Sequence, residues 1–180
     1  MSIVLCHVSN GTAIIMSDGK ITNTNPNFPV GYDKQKKFEH LTDDVIIGYT
    51  GDWTACLDSV KWYKSHITTN PFDDFEIFQN YLTGLKNVGE MAFILVGKHN
   101  NKIHLMAFGT KSNFKPKFNH VFEKDDHGYI GIGHIDQQEL NRYMNTKFIL
   151  PELQMEEYIK SVAKFDITVN TNIFTEKINL

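Results

Sequence analysis

Two short apolar runs joined by Asn10-Gly11 constrain this chain more than any other feature. Residues 3–8 and 12–16 are rich in aliphatic and β-branched side chains, the composition of buried strands. Between them lies Ser9-Asn10-Gly11, and Asn-Gly readily supplies the two positive φ angles of a tight hairpin turn. The chain therefore opens on an antiparallel hairpin. The second strand runs into Ser17-Asp18-Gly19-Lys20, another turn sequence.

The remaining chain alternates in blocks. Residues 23–32 are rich in Asn, Pro and Gly and read as an irregular loop; order resumes at 36–41, and 44–49 reads as an apolar strand. Trp53, Cys56, Leu57 and Val60 then fall at i, i+3, i+4 and i+7, one face of a helix. A second helix is expected over 72–85, with Phe75, Phe78, Leu82 and Leu85 on one face and Pro71 near its start. Strands at 91–96 and 103–108 flank the turn His99-Asn100-Asn101. Residues 111–127 are polar and read as loop with one short strand around Val121, and 129–133 reads as a strand. Helices over 136–144 and 152–163 and a last strand over 172–178 complete the pattern. Strands, two helices, strands, two helices, strand: segregated blocks exclude a doubly wound parallel sheet and suit two packed sheets with a helical layer outside each.

The 180 residues are 41% hydrophobic, enough for one core, and no repeat or linker divides them; a single domain over 1–180 is expected. With 18 basic against 21 acidic residues the chain lacks the cationic footprint of a nucleic-acid binder. No apolar run is long enough to span a bilayer, and the first residues lack the pattern of an export signal, so a cytoplasmic protein without a membrane partner is expected. Cys6 and Cys56, both in apolar surroundings, read as buried thiols rather than a disulfide or a metal site. His120, Asp125, Asp126 and His127 cluster in sequence, but their spacing matches no metal motif and reads as a solvated loop.

In order and spacing, these segments resemble the proteasome-like N-terminal-nucleophile (Ntn) hydrolases, nearest to the peptidase subunit of the bacterial two-component ATP-dependent protease. Members of that family begin, once processed, at a nucleophilic Thr that opens a short apolar strand. Here Ser2-Ile3-Val4-Leu5 opens the strand, Asn10-Gly11 turns it, and Ser17-Asp18-Gly19 ends the second strand without a gap. Lys36-Lys37-Phe38 is similar to the family's Lys-Lys-apolar segment, and 47–52 (Ile-Gly-Tyr-Thr-Gly-Asp) to its strand, Gly-rich turn and helix. Gly131-Ile132-Gly133 is similar to its late Ile-Gly segment, and Asp166 corresponds to the Asp before its last strand.

The resemblance implies an α+β fold, a four-layer αββα sandwich, and an amidohydrolase, expected to be a peptidase. It implies no cofactor and no catalytic metal. It also implies peptide or protein substrates, homo-oligomeric rings and cooperation with an unfolding ATPase. The chemistry needs an activated nucleophile and a stabilised oxyanion. The free α-amine of an N-terminal residue supplies a base of pKa about 7.7–8.0. Ser2 is the implied nucleophile, after removal of Met1. Lys37 would favour the neutral amine by its charge, Asp18 would hold Lys37, and Asp166 would orient the terminus. The Gly51 N–H is the implied oxyanion donor; Tyr49, Thr50 and His134 are the implied substrate-side residues.

Each residue has an ordinary reading as well. Ser2 is otherwise a polar chain end, Asp18 a turn former, Lys37 a solvated charge, Gly51 a strand end and Asp166 a capping residue. The chain departs from the family at two of these places. Serine stands for threonine at the nucleophile, without the methyl that limits its rotamers. His134 stands where the family has serine. An inert protein that keeps the fold, or a small-molecule amidase, are the alternatives to a peptidase.

Overall fold

The computed structural model describes residues 2–21, 34–145 and 150–179. The opening hairpin forms as its sequence requires. Strands β1 (Ile3–Ser9) and β2 (Thr12–Asp18) pair antiparallel from Val4↔Ser17 to Ser9↔Thr12. Asn10 and Gly11 close the turn with φ of 49° and 71°. Strands β3 (Phe38–Thr42) and β4 (Val45–Gly51) follow, then helices α1 (Trp53–His66) and α2 (Phe75–Gly84). Next come β5 (Met91–His99), β6 (Lys102–Gly109), β7 (Phe118–Phe122) and β8 (His127–Gly133). Helices α3 (Gln137–Met144) and α4 (Pro151–Ala163) precede β9 (Ile173–Asn179).

Two antiparallel sheets result, ordered β8-β1-β2-β9 and β3-β4-β5-β6-β7. Alternation along β1 explains the layering. Val4, Cys6 and Val8 meet Phe38, Ile46, Ile94, Val96 and Leu105 between the sheets, whereas Ile3 and Leu5 point out to Leu140, Met155, Tyr158 and Ile159 of α3 and α4. The outer face of the other sheet carries Ile47, Tyr49, Phe93 and Leu95 against Cys56, Val60, Phe78 and Leu82 of α1 and α2. The four layers are thus helices, sheet, sheet, helices, the αββα sandwich expected. Each fully buried aliphatic side chain in these clusters contributes on the order of 1.5–3 kcal/mol. Gly48 lets the sheets approach: a Cβ there would lie 2.8 Å from both Ile15 Cδ1 and Val4 Cγ1.

One helix boundary shifts, the short strand expected around Val121 forms, and one loop falls outside the described residues. Helix α2 begins at Phe75, not at 72, because the Asp74 carboxylate binds back to Thr68 N (2.7 Å) and Thr69 N (3.1 Å), and residues 71–74 form a turn instead. Residues 118–122 form a complete edge strand on β6, where Phe122 is buried while Asn119, His120 and Val121 face solvent. The loop read at 23–32 lies outside the described residues. Among the described residues no helix is long and apolar enough to cross a membrane.

Candidate active site

The start of β1 is buried. Ser2 is 9% exposed, and its neighbours Ile3 and Val4 are fully enclosed. Hydrogen bonds from two directions fix it in place. Its carbonyl oxygen accepts from His134 N at 3.0 Å and from Thr50 Oγ1 at 3.4 Å. Gly133, opposite Ile3 in the β1–β8 ladder, makes the first of these possible. Its φ is +99°, and a Cβ on it would stand 1.8 Å from Ser2 O. Only glycine lets the chain wrap so closely around the terminus.

Asp18, at the end of β2, ties this terminus to a buried lysine. Its Oδ1 accepts from Ile3 N at 2.8 Å and from Lys37 Nζ at 2.7 Å; its Oδ2 accepts from Lys20 N at 3.0 Å. The Lys37 and Asp18 side chains are 1% and 0% exposed. Lys37 enters β3 under backbone control: its N–H donates to Ser17 Oγ (3.3 Å) and its carbonyl accepts from Tyr49 N (2.9 Å). Burial lowers the Lys37 pKa to about 8, against the opposing charge and hydrogen bond of Asp18. Such an amine changes charge near neutrality, unlike an ordinary lysine.

Asp166 approaches from the turn before β9. Its Oδ1 accepts from Thr168 N (2.8 Å) and Thr168 Oγ1 (2.6 Å), and its Oδ2 lies 2.6 Å from His134 Nδ1. The His134 contact is close but is not an aligned hydrogen bond, since Oδ2 is without a hydrogen-bond partner among the described residues. Partial burial would raise the Asp166 pKa, but the Thr168 hydrogen bonds and the His134 charge prevail and hold it below the usual carboxylate value.

Ser2, Asp18, Lys37, Thr50, His134 and Asp166 are therefore linked by direct or one-residue contacts. Gly51 ends β4 with φ of +113° and is exposed; a Cβ there would meet Glu90 O at 1.9 Å. Tyr49 turns away from this group. Strand alternation sends its ring into the outer cluster, 5.6 Å from the Trp53 ring, while Thr50 faces Ser2. A cleft of about 280 Å³ opens along Gly131–Gly133, between Met91 and Phe108 of one sheet and Ile130 and Ile132 of the other, with Lys111 and Lys117 beside it.

Sequence reasoning did not single out Ser17, Thr168 or Gly133 as parts of this arrangement. The Asp-x-Thr spacing of Asp166 and Thr168 carried a signal, because Asp commonly folds back on the backbone two residues on. The polar group at 120–127 is divided between β7, a turn closed by Glu123 N on Asp126 Oδ2 (2.9 Å), and β8. Among the described residues no three His, Cys, Asp or Glu side chains gather as a metal site. Cys6 and Cys56 are buried, unpaired thiols whose pKa burial pushes up.

The amino-acid sequence matches no family model and no curated protein. The crystal structure of eukaryotic HslV from Trypanosoma brucei is similar in fold, with a TM-score of 0.72 over 99% of this chain and 99% of that chain. This is the Ntn-hydrolase fold. The two sequences are 12% identical, so the likeness is one of architecture, and the chemistry rests on the residues present in this chain.

Proposed function

We propose that this protein is an N-terminal-nucleophile amidohydrolase, a peptidase that acts through Ser2 once Met1 has been removed. The observation that carries the reading is the enclosed Lys37–Asp18 pair, whose carboxylate also accepts from Ile3 N, the residue next to Ser2. A lysine and an aspartate buried together cost several kcal/mol of desolvation, an expense without purpose in a core that apolar side chains would fill better. Beside a chain start held by Thr50 and His134, the pair fits the activation of a terminal nucleophile.

In this reading the free α-amine of Ser2 takes the hydroxyl proton as Oγ attacks the scissile carbonyl. The cation of Lys37 favours the neutral amine and the developing alkoxide. Asp18 keeps Lys37 in place, and Gly51 N–H faces the oxyanion. The cleft along Gly131–Gly133 receives an extended peptide. A cytoplasmic ring of identical subunits, fed with unfolded chain by an ATPase, is the setting that accompanies this fold in the proposal.

The test has two steps. Intact mass of the natively expressed protein is expected to show loss of Met1. An electrophile that captures N-terminal nucleophiles is expected to label the wild type and not Ser2→Ala. Retention of Met1 with no labelling would establish the inert alternative.

A further inference from the structure

We propose that His134, oriented by Asp166, is the acid that protonates the departing amine when the peptide bond breaks. The inference rests on the amidohydrolase reading above and adds a proton carrier to it. Three observations carry it. The backbone N–H of His134 donates to Ser2 O at 3.0 Å, so the residue is anchored to the main chain of Ser2. Its Nδ1 lies 2.6 Å from Asp166 Oδ2, and Asp166 is itself held by two hydrogen bonds from Thr168. The imidazole is half exposed, so the ring is open to a bound substrate.

The Asp166 carboxylate, 2.6 Å from Nδ1, confines the ring from one side and leaves a half-exposed imidazole whose other nitrogen, Nε2, can exchange protons with what lies in front of it. This combination is what a proton donor needs and what a purely structural histidine, enclosed on both nitrogens, does not show.

The proton balance closes over one cycle. As the Ser2 Oγ–carbon bond forms, the hydroxyl proton goes to the α-amine, which becomes an ammonium. As the carbon–nitrogen bond breaks, the departing nitrogen takes the Nε2 proton, and His134 becomes neutral. A water then attacks the acyl carbon and gives its proton to Nε2. When the ester bond to Oγ breaks, Oγ recovers its proton from the α-ammonium. The enzyme returns to its starting state with one peptide bond hydrolysed.

Leaving-group dependence tests the assignment. An amine cannot depart without a proton, whereas nitrophenolate can. A peptidyl coumarin amide and a nitrophenyl ester with the same acyl part are the probes, used with protein whose loss of Met1 is verified by mass. His134→Ala is expected to lower kcat/KM, which reports acylation and not the deacylation common to both probes, by about 10²-fold on the amide and by less than tenfold on the ester. Asp166→Asn, which preserves shape, is expected to show the same bias toward the amide. Equal losses on the two substrates would overturn the role of His134 while leaving the amidohydrolase reading intact. A wild type that hydrolyses neither probe and is not labelled at Ser2 would overturn both.

Discussion

The Lys37 ammonium lies 2.7 Å from the Asp18 carboxylate, with both side chains enclosed by the protein. Removing one partner leaves the other charge buried and alone, which costs about 3–5 kcal/mol. Lys37→Met and Asp18→Leu are each expected to lose that much stability in urea denaturation. The double variant is expected to recover part of it: apolar groups replace the ion pair at little cost, but the buried Ile3 N–H loses its acceptor. Activity is expected to vanish in all three. A double variant no more stable than the singles would show that the pair does not act as a unit.

The Lys37 pKa predicts opposite trends in stability and activity above neutrality. Burial lowers it to about 8 in the folded protein, from the 10.5 of an exposed lysine. Between those values the unfolded chain binds the proton that the folded chain has released, so stability from this group rises with pH. The contribution is complete above 10.5 and is lost as pH falls to about 8. Hydrolysis, which uses the cation, is expected to fall over the same window. Comparison of wild type with Lys37→Met isolates the stability increment, because the variant lacks this titration. An activity that climbs steadily to pH 10 would remove the cation from the mechanism.

The fold was legible in the sequence because its signals are local. Asn10-Gly11 fixes one hairpin and Asn100-Asn101, both at positive φ, another; the 3.6-residue spacing of Trp53 to Val60 marks a helix that buries Cys56 and Val60. Segregation of strands from helices then leaves few arrangements. Residues 118–122 were harder to read because an edge strand buries little: exposed Asn119 and His120 carry no strand signal, and pairing with β6 decides their conformation. The candidate site was legible only through the ordered resemblance. Nothing local brings Lys37 to Asp18, 19 residues apart, or His134 to Asp166. Tyr49 shows the limit from the other side, since one residue of register decides whether it or Thr50 faces Ser2.

Gly133→Ala tests how tightly the terminus is held. The added methyl would fall 1.8 Å from Ser2 O, at a φ of +99° that side chains rarely adopt. Backbone strain alone costs on the order of 1–3 kcal/mol. The carbonyl must also move, which breaks the His134 hydrogen bond to it. The expected outcome is a folded protein of lower melting temperature whose Ser2 labels at least tenfold more slowly. Unchanged labelling would mean that Ser2 does not depend on β8 for its position.

Asp52 offers a prediction at the opposite wall of the site. It caps α1 by accepting from Ala55 N at 3.1 Å, and its second oxygen accepts from Gly89 N at 3.1 Å. Its own N–H donates to Glu90 O at 2.7 Å, so one residue joins the start of α1 to the segment entering β5. The side chain immediately follows Gly51, the candidate oxyanion donor. Loss of an N-cap costs about 1 kcal/mol, and here a second backbone donor loses its acceptor as well. Asp52→Ala is therefore expected to destabilise the protein by about 1–2 kcal/mol. Because the Gly51 peptide would lose the anchor that follows it, kcat is expected to fall while KM holds. Asp52→Asn, which keeps the acceptor at the cap but turns an NH2 group toward Gly89 N–H, is expected to restore only part of both, and a stability loss without any change in kcat would separate Gly51 from the oxyanion.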